Sequence, residues 1–134
     1  MKDEMIARGK AINGLLGRWA PVAVWMVLIF VLSAQSSLPT PDEDWLEELT
    51  QIAGHFTEYA VLSFLVARAT APGGARAPSK IAIAIVWAAV YALSDEWHRS
   101  FVPGRDASLI DWLVDMVGAS VGCGMFFGRM RDEG

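Results

Sequence analysis

The sequence predicts an all-α integral membrane protein, a four-helix bundle with a short acidic interfacial helix before its second span. Three observations predict this fold class. First, 54% of the 134 residues are hydrophobic and the mean hydropathy is +0.35, which is too apolar for an ordinary soluble domain of this length. Second, four apolar stretches alternate with polar segments. Third, lysine and arginine concentrate beside alternate ends of these stretches, as loops on one side of a membrane do. The length fits a single domain, residues 1–134.

The four apolar stretches are long enough to cross a bilayer. We expect the spans at about residues 19–34, 52–70, 80–96 and 109–127. The first follows a basic segment, which is also typical of a signal peptide. Leu32, however, fits poorly at the position three residues before a cleavage site, so the sequence favours a span.

The segment between the first two spans, residues 38–50, contains five acidic residues and no lysine or arginine. Thr40 as N-cap, Pro41 at the first helical position and Glu43 three residues after the cap form a helix start. The acidic helix either lies on the membrane surface or continues directly into the second span. A continuous helix would be about 40 Å long, more than a bilayer core accommodates, so we expect a bend near Gly54.

The fourth span begins and packs through recognisable local patterns. Ser108 and Asp111 form a capping box at its start. Gly118 and Gly122 make a G-x-x-x-G pair, which lets membrane helices approach closely. Packing within the chain is favoured over a homodimer seam. The single cysteine, Cys123, lies in this apolar run, which indicates packing rather than a nucleophile.

The distribution of basic residues predicts the orientation. All 11 lysines and arginines except Arg99 and Arg105 lie in the N-terminal segment, in or beside the loop between the second and third spans, or in the C-terminal tail. The positive-inside rule therefore places both termini in the cytoplasm, with the four spans between them. The formal net charge of −4 argues against a nucleic-acid partner, which requires a concentrated basic face.

Polar side chains from several spans fall at a similar depth toward the outer leaflet. At helical rise, Glu58, Asp95 and Asp115 lie roughly 15–22 Å from the basic anchors of their own helices. Ionisable groups at such depths are costly unless they face the bundle interior or a wet cavity, so they indicate a site. The candidate site residues are His55, Glu58, Tyr59, Asp95, Glu96, His98, Arg105, Asp111 and Asp115.

Three functions are compatible with these residues. In the first, Arg105, with Arg99 beside it, binds a phosphate or carboxylate of an envelope amphiphile such as a lipid-linked cell-wall precursor. The alternative for Arg105 is internal pairing with Asp95 or Asp111. In the second, the histidines and carboxylates perform acid–base or metal chemistry. No established metal or nucleophile motif supports that reading, and no cofactor or metal is predicted. In the third, the chain is an accessory or scaffold subunit that contacts other membrane proteins through the helix around Trp45.

Four motifs occur in a fixed order along the chain. They are H-F-x-x-Y at His55–Tyr59, D-E-x-H at Asp95–His98, F-V-P-G-R ending at Arg105, and D-x-x-x-D-x-x-G-A at Asp111–Ala119. Over about residues 33–124 the sequence resembles the VanZ-like family. The resemblance implies a small multi-span bacterial membrane protein of the cell envelope. The family is named after a factor that gives low-level resistance to the glycopeptide antibiotic teicoplanin, and no biochemical reaction is implied.

Overall fold

The computed structural model of the chain describes residues 1–35, 44–72, 78–105 and 107–132. These residues form four helices and no strand. The helices are α1 (Lys2–Ser33), α2 (Asp44–Thr70), α3 (Pro78–Arg99) and α4 (Leu109–Asp132). The predicted all-α bundle is confirmed. The predicted helix start at Thr40, Pro41 and Glu43 lies outside the described residues.

Three of the four helices are long and apolar enough to cross a membrane, namely α1, α3 and α4. Their outward faces carry exposed apolar side chains, as lipid-facing surfaces do. These include Val24, Val27, Val31, Val86, Val90, Leu93, Leu113, Val117 and Val121. Among the described helices, α2 does not meet the same criterion of length and composition. The reason is its charge: the acidic start of the helix is followed by Glu58 and Arg68.

The helix with the most extensive contacts is α2, which packs against all three others and chiefly against α4. In the described part of the chain α1 makes no contact with α4, so these two helices flank α2. Trp25 of α1 donates its indole N–H to the carbonyl oxygen of Glu58 at 2.9 Å, and Tyr91 of α3 donates its hydroxyl to the carbonyl oxygen of Met26 at 2.5 Å. A helix enclosed in this way need not present a continuous apolar surface to lipid.

The acidic segment is not a separate interfacial helix in the described residues. Its described part, residues 44–50, forms the first turns of α2, and the helix continues without interruption through Gly54 to Thr70. Of the two arrangements that the sequence allows, the continuous one is observed. At helical rise its 27 residues extend about 40 Å. The acidic first turns therefore lie beyond the part of α2 that the other helices enclose.

The glycines of α4 explain its close contact with α2. A Cβ atom placed on Gly118 would overlap the carbonyl oxygen of Phe56, and one placed on Gly122 would overlap that of Ala60. Because both obstacles are backbone atoms, the helices could accept larger residues only by moving apart. The prediction that this glycine pair packs within the chain is confirmed.

The bundle has two chemically different ends. We call one the site end: the C-termini of α1 and α3 meet there with the N-termini of α2 and α4. The opposite end is the basic end, and it carries most of the described lysines and arginines. These are Arg8, Lys10, Arg18, Arg68, Lys80, Arg129 and Arg131. The candidate site residues come from α2, α3, α4 and the loop between α3 and α4, and they lie toward the site end.

Candidate functional site

The centre of the polar cluster is Arg99, at the end of α3, whose side chain is 4% exposed. Its Nη1 atom donates to Glu96 Oε1 at 2.7 Å and to Asp111 Oδ2 at 3.1 Å. The same nitrogen lies 2.9 Å from Nε2 of His55 on α2. One guanidinium therefore joins α2, α3 and α4. Charge-assisted hydrogen bonds of this kind are stronger than neutral ones.

The same contacts engage both nitrogens of His55. Its Nδ1 atom lies 2.9 Å from Oδ1 of Asp115, a carboxylate that is 1% exposed. Its Nε2 atom lies 2.9 Å from Nη1 of Arg99. In this arrangement the imidazole has no free nitrogen with which to act as a general base.

The network also fixes the start of α4. Ser108 Oγ accepts a hydrogen bond from the backbone N–H of Asp111 at 3.2 Å, so the predicted N-cap is present. In the predicted capping box, the Asp111 carboxylate would accept a hydrogen bond from the backbone N–H of Ser108. This second bond is not the one observed. The backbone N–H of Ser108 donates to Glu96 Oε2 at 2.7 Å, while the Asp111 carboxylate binds Arg99. A carboxylate of α3 thus caps α4, and the cap and the buried network become one unit.

Three members of the network present donor atoms that a metal ion could use. One ligand atom each from His55, Glu96 and Asp115 falls within a 4.8 Å cluster, and all three residues are buried. The Arg99 guanidinium, however, lies within 2.9 Å of two of these donor sets. It already supplies a positive charge between them. A metal ion at this point would have to displace Arg99, because two cations in contact repel strongly in a low dielectric.

Beside the network lies a cavity of about 270 Å³. Its walls come from the end of α1, the first half of α2, the end of α3 and the loop that follows. The lining residues are Leu32, Ser33, Thr50, Gln51, Gly54, His55, Glu58, Asp95, Arg99 and Arg105. Three side-chain atoms on this wall are buried with no hydrogen-bond partner among the described residues: Oγ of Ser33, Oδ1 of Asp95 and Nε of Arg99. Such atoms are uncommon in folded proteins, and half of those in the described residues lie on this wall.

Arg105 lies in the loop between α3 and α4 and lines this cavity. It also lines a second cavity of about 360 Å³ that reaches Glu48 and Asp111. Its Nε atom donates to the carbonyl oxygen of Gln35 at 3.0 Å. Partial burial, and after it the nearby Arg99 charge, lower the pKa of Arg105. Both effects disfavour the charged guanidinium, and an anionic group in the cavity would offset them.

The structure divides the candidate site residues into three groups. His55, Glu96, Asp111 and Asp115 belong to the network. Glu58, Asp95 and Arg105 line the cavity. Two residues lie apart from both groups. The ring of His98 stacks on Phe30 of α1 with centroids 4.4 Å apart, and Tyr59 is fully buried with its ring 6.4 Å from that of Tyr91.

Arg99 is absent from the candidate set although it is the centre of the network. A sequence signal for it exists in α3. Ala84, Ala88 and Ala92 form a buried stripe at four-residue spacing. Continued along the helix, the stripe leads to Asp95 and Arg99 and leaves His98 to one side.

The fold and the site together define a small helical membrane protein with a buried ionic network at one end and a polar cavity beside it. The comparisons with known proteins agree. A family model described as VanZ/LLP1 matches residues 18–130, and the chain belongs to this family. No curated protein and no solved structure matches the chain. The resemblance noted from the four motifs is confirmed.

Proposed function

We propose that the protein is a bacterial inner-membrane member of the family whose cavity binds an envelope amphiphile such as a lipid-linked cell-wall precursor. In this proposal both termini are cytoplasmic, all four helices span the membrane, and the site end faces outward. The observation that carries the proposal is that three polar atoms on the cavity wall, Ser33 Oγ, Asp95 Oδ1 and Arg99 Nε, lack a hydrogen-bond partner in the described part of the chain. A bound headgroup would supply the hydrogen bonds that these atoms lack.

The network and the cavity have separate roles in this proposal. Arg99 is held by two carboxylates and the His55 ring, so its main task is to fix three helices. The guanidinium of Arg105 donates one N–H to the carbonyl oxygen of Gln35 and lines the cavity wall. Guanidinium groups bind phosphate and carboxylate through paired N–H donors. Arg105 is therefore our assignment for the anionic part of the headgroup.

Binding rather than catalysis is the function we assign. The imidazole of His55 is not available as a general base, because both of its nitrogens are engaged. A link to teicoplanin resistance would follow if the bound amphiphile is a cell-wall precursor, since a protein that holds such a molecule alters its exposure at the membrane surface. The acyl or prenyl chains of the ligand would remain in the bilayer beside α1.

Native mass spectrometry of the detergent-purified protein, with elemental analysis for metals, tests the proposal. We expect the wild-type chain to retain a lipid mass that Arg105→Ala loses. Arg8→Ala, which removes an exposed arginine at the basic end, is the matched control and should retain it. Equal retention by both variants, or no retained mass in any of them, would contradict a ligand held by the cavity.

A second candidate function is that of an accessory or scaffold subunit in a larger membrane complex. It is favoured by one observation: Trp45, Leu49 and Ile52 are exposed at three- and four-residue spacing on one face of the acidic end of α2. Leu49→Asp would then release the chain from a complex extracted in mild detergent, detected as a smaller particle on size exclusion. An unchanged particle size would argue against this function.

A further inference from the structure

Acidic groups outnumber basic groups around the network and the cavity. Five carboxyl groups face two guanidinium groups and one imidazole. The carboxyl groups are Glu58, Asp95, Glu96, Asp111 and Asp115, and the guanidinium groups are Arg99 and Arg105. An excess of negative charge in a region of low dielectric is costly unless protons or a cation offset it.

Hydrogen bonds and ion pairs within the protein provide partners for only some of these five carboxyl groups. Arg99 pairs with Glu96 and Asp111, and Nδ1 of His55 lies 2.9 Å from Oδ1 of Asp115. The two carboxylates that remain, Glu58 and Asp95, form no ion pair with any described residue. Both line the cavity.

The surroundings of these two carboxylates indicate that a partner would have to come from the cavity. Asp95 is 5% exposed, and its Oδ1 atom has no hydrogen-bond partner within the described ranges. The nearby indole of Trp25 donates to the backbone oxygen of Glu58 and not to its carboxylate. The Ser33 hydroxyl is a neutral donor beside Asp95, so the cavity wall presents two carboxylates without an ion-pair partner in the described part of the chain. A ligand with several N–H donors and a positive charge would complement them.

We infer that the headgroup held in the cavity carries a primary ammonium group, bound between Glu58 and Asp95, beside a phosphate that faces Arg105. This inference rests on the proposed function and names the ligand chemistry. A primary ammonium offers three N–H donors, enough for both carboxylates. A magnesium ion fits less well, because it requires near-octahedral oxygen ligands at 2.0–2.1 Å as a general rule. Ethanolamine phospholipids and aminoacylated lipids share the required chemistry.

Lipids of defined headgroup distinguish the contribution of an ammonium group to binding from that of the phosphate. The purified protein is delipidated and incubated with phosphatidylethanolamine, phosphatidylcholine or phosphatidylglycerol, and retained lipid is measured by native mass spectrometry. Phosphatidylcholine keeps the positive charge but has no N–H donor, and phosphatidylglycerol has the phosphate without an ammonium. We expect about tenfold preference for phosphatidylethanolamine over both, equivalent to about 1.4 kcal/mol, which is the scale of one hydrogen bond to a charged group.

Isosteric amides test the two carboxylates. Glu58→Gln and Asp95→Asn should each abolish the preference for phosphatidylethanolamine, whereas Glu4→Gln, an exposed change at the basic end, should leave it intact. A thermal melt in detergent checks that each variant is folded. If Asp95→Asn does not fold, the partly exposed Glu58 and the three-lipid comparison of the wild type still decide the matter. Aminoacylated phosphatidylglycerol in a fourth arm identifies which ammonium lipid binds more tightly.

The outcomes separate this inference from the proposed function. Equal retention of all three lipids, or a preference for phosphatidylglycerol that Arg105→Ala removes, overturns the ammonium assignment and leaves an amphiphile-binding cavity. A preference for phosphatidylethanolamine that survives both amide substitutions also overturns it. If the wild type retains none of the lipids and carried none when purified, both the inference and the proposed function fail.

Discussion

Replacing Gly122 by alanine tests the close contact between α2 and α4. The added Cβ would overlap the carbonyl oxygen of Ala60, a backbone atom that cannot rotate away. Overpacking in a filled interior costs about 1–3 kcal/mol, and a rigid obstacle places this substitution near the upper end. The higher helix propensity of alanine raises the free energy of unfolding by about 1 kcal/mol and offsets part of this cost. The expected net loss in the free energy of unfolding is about 2 kcal/mol.

Gly124→Ala is the matched control, because a Cβ at Gly124 meets no atom within 4 Å. It should be neutral or more stable by up to about 1 kcal/mol. Both variants can be compared by titrating the protein from mild detergent into SDS and following helix loss by circular dichroism. If Gly122→Ala unfolds at the same SDS fraction as Gly124→Ala, the α2–α4 contact is looser than described, and the reasoning fails.

Three further predictions concern the network, an interhelical bond and the orientation. Arg99→Ala leaves buried carboxylates unpaired and should cost about 3–5 kcal/mol of unfolding free energy in the same SDS titration, whereas the exposed Arg131→Ala should change it by less than about 0.5 kcal/mol. Ser63→Ala removes a 2.6 Å hydrogen bond to a carbonyl oxygen of α4, so a loss of about 0.5–1.5 kcal/mol is expected. A cysteine at Ala107 should react with an impermeant maleimide on intact spheroplasts, and one at Lys10 only after lysis; the reverse pattern would refute the proposed orientation.

Features that depend on neighbouring residues could be predicted from the sequence. The helix start at Ser108 needs only the residues of its own turn, and the hydroxyl caps α4 as expected. The pair Gly118 and Gly122 indicated a close helix contact because a four-residue spacing places both on one face. The pattern could not show that α2 is the helix in contact with these glycines, since any neighbouring helix could pack closely against them.

Features that depend on distant residues could not be predicted in the same way. Arg99 contacts His55, which is 44 residues away, and Asp111, which is 12 residues away across a turn. The sequence showed Arg99 and Arg105 as two basic residues of one loop region, and only the helix packing makes the first a buried centre and the second a cavity residue. The apolar criterion likewise does not select α2, because the acidic first turns, the half-buried Glu58 and the exposed Arg68 lower its hydropathy.

Filling the cavity is the most direct test of the central claim that it holds a ligand. Gly54 lines the cavity, and a Cβ placed there meets no atom within 4 Å, so Gly54→Trp adds a large side chain at the cavity wall whose first carbon meets no obstacle. Gly124→Trp, which adds the same side chain where there is also open space, is the control. Native mass spectrometry should show the retained lipid lost from Gly54→Trp alone, with the melting temperature in detergent unchanged. Lipid retained by a folded Gly54→Trp at the wild-type level would contradict a ligand bound in this cavity.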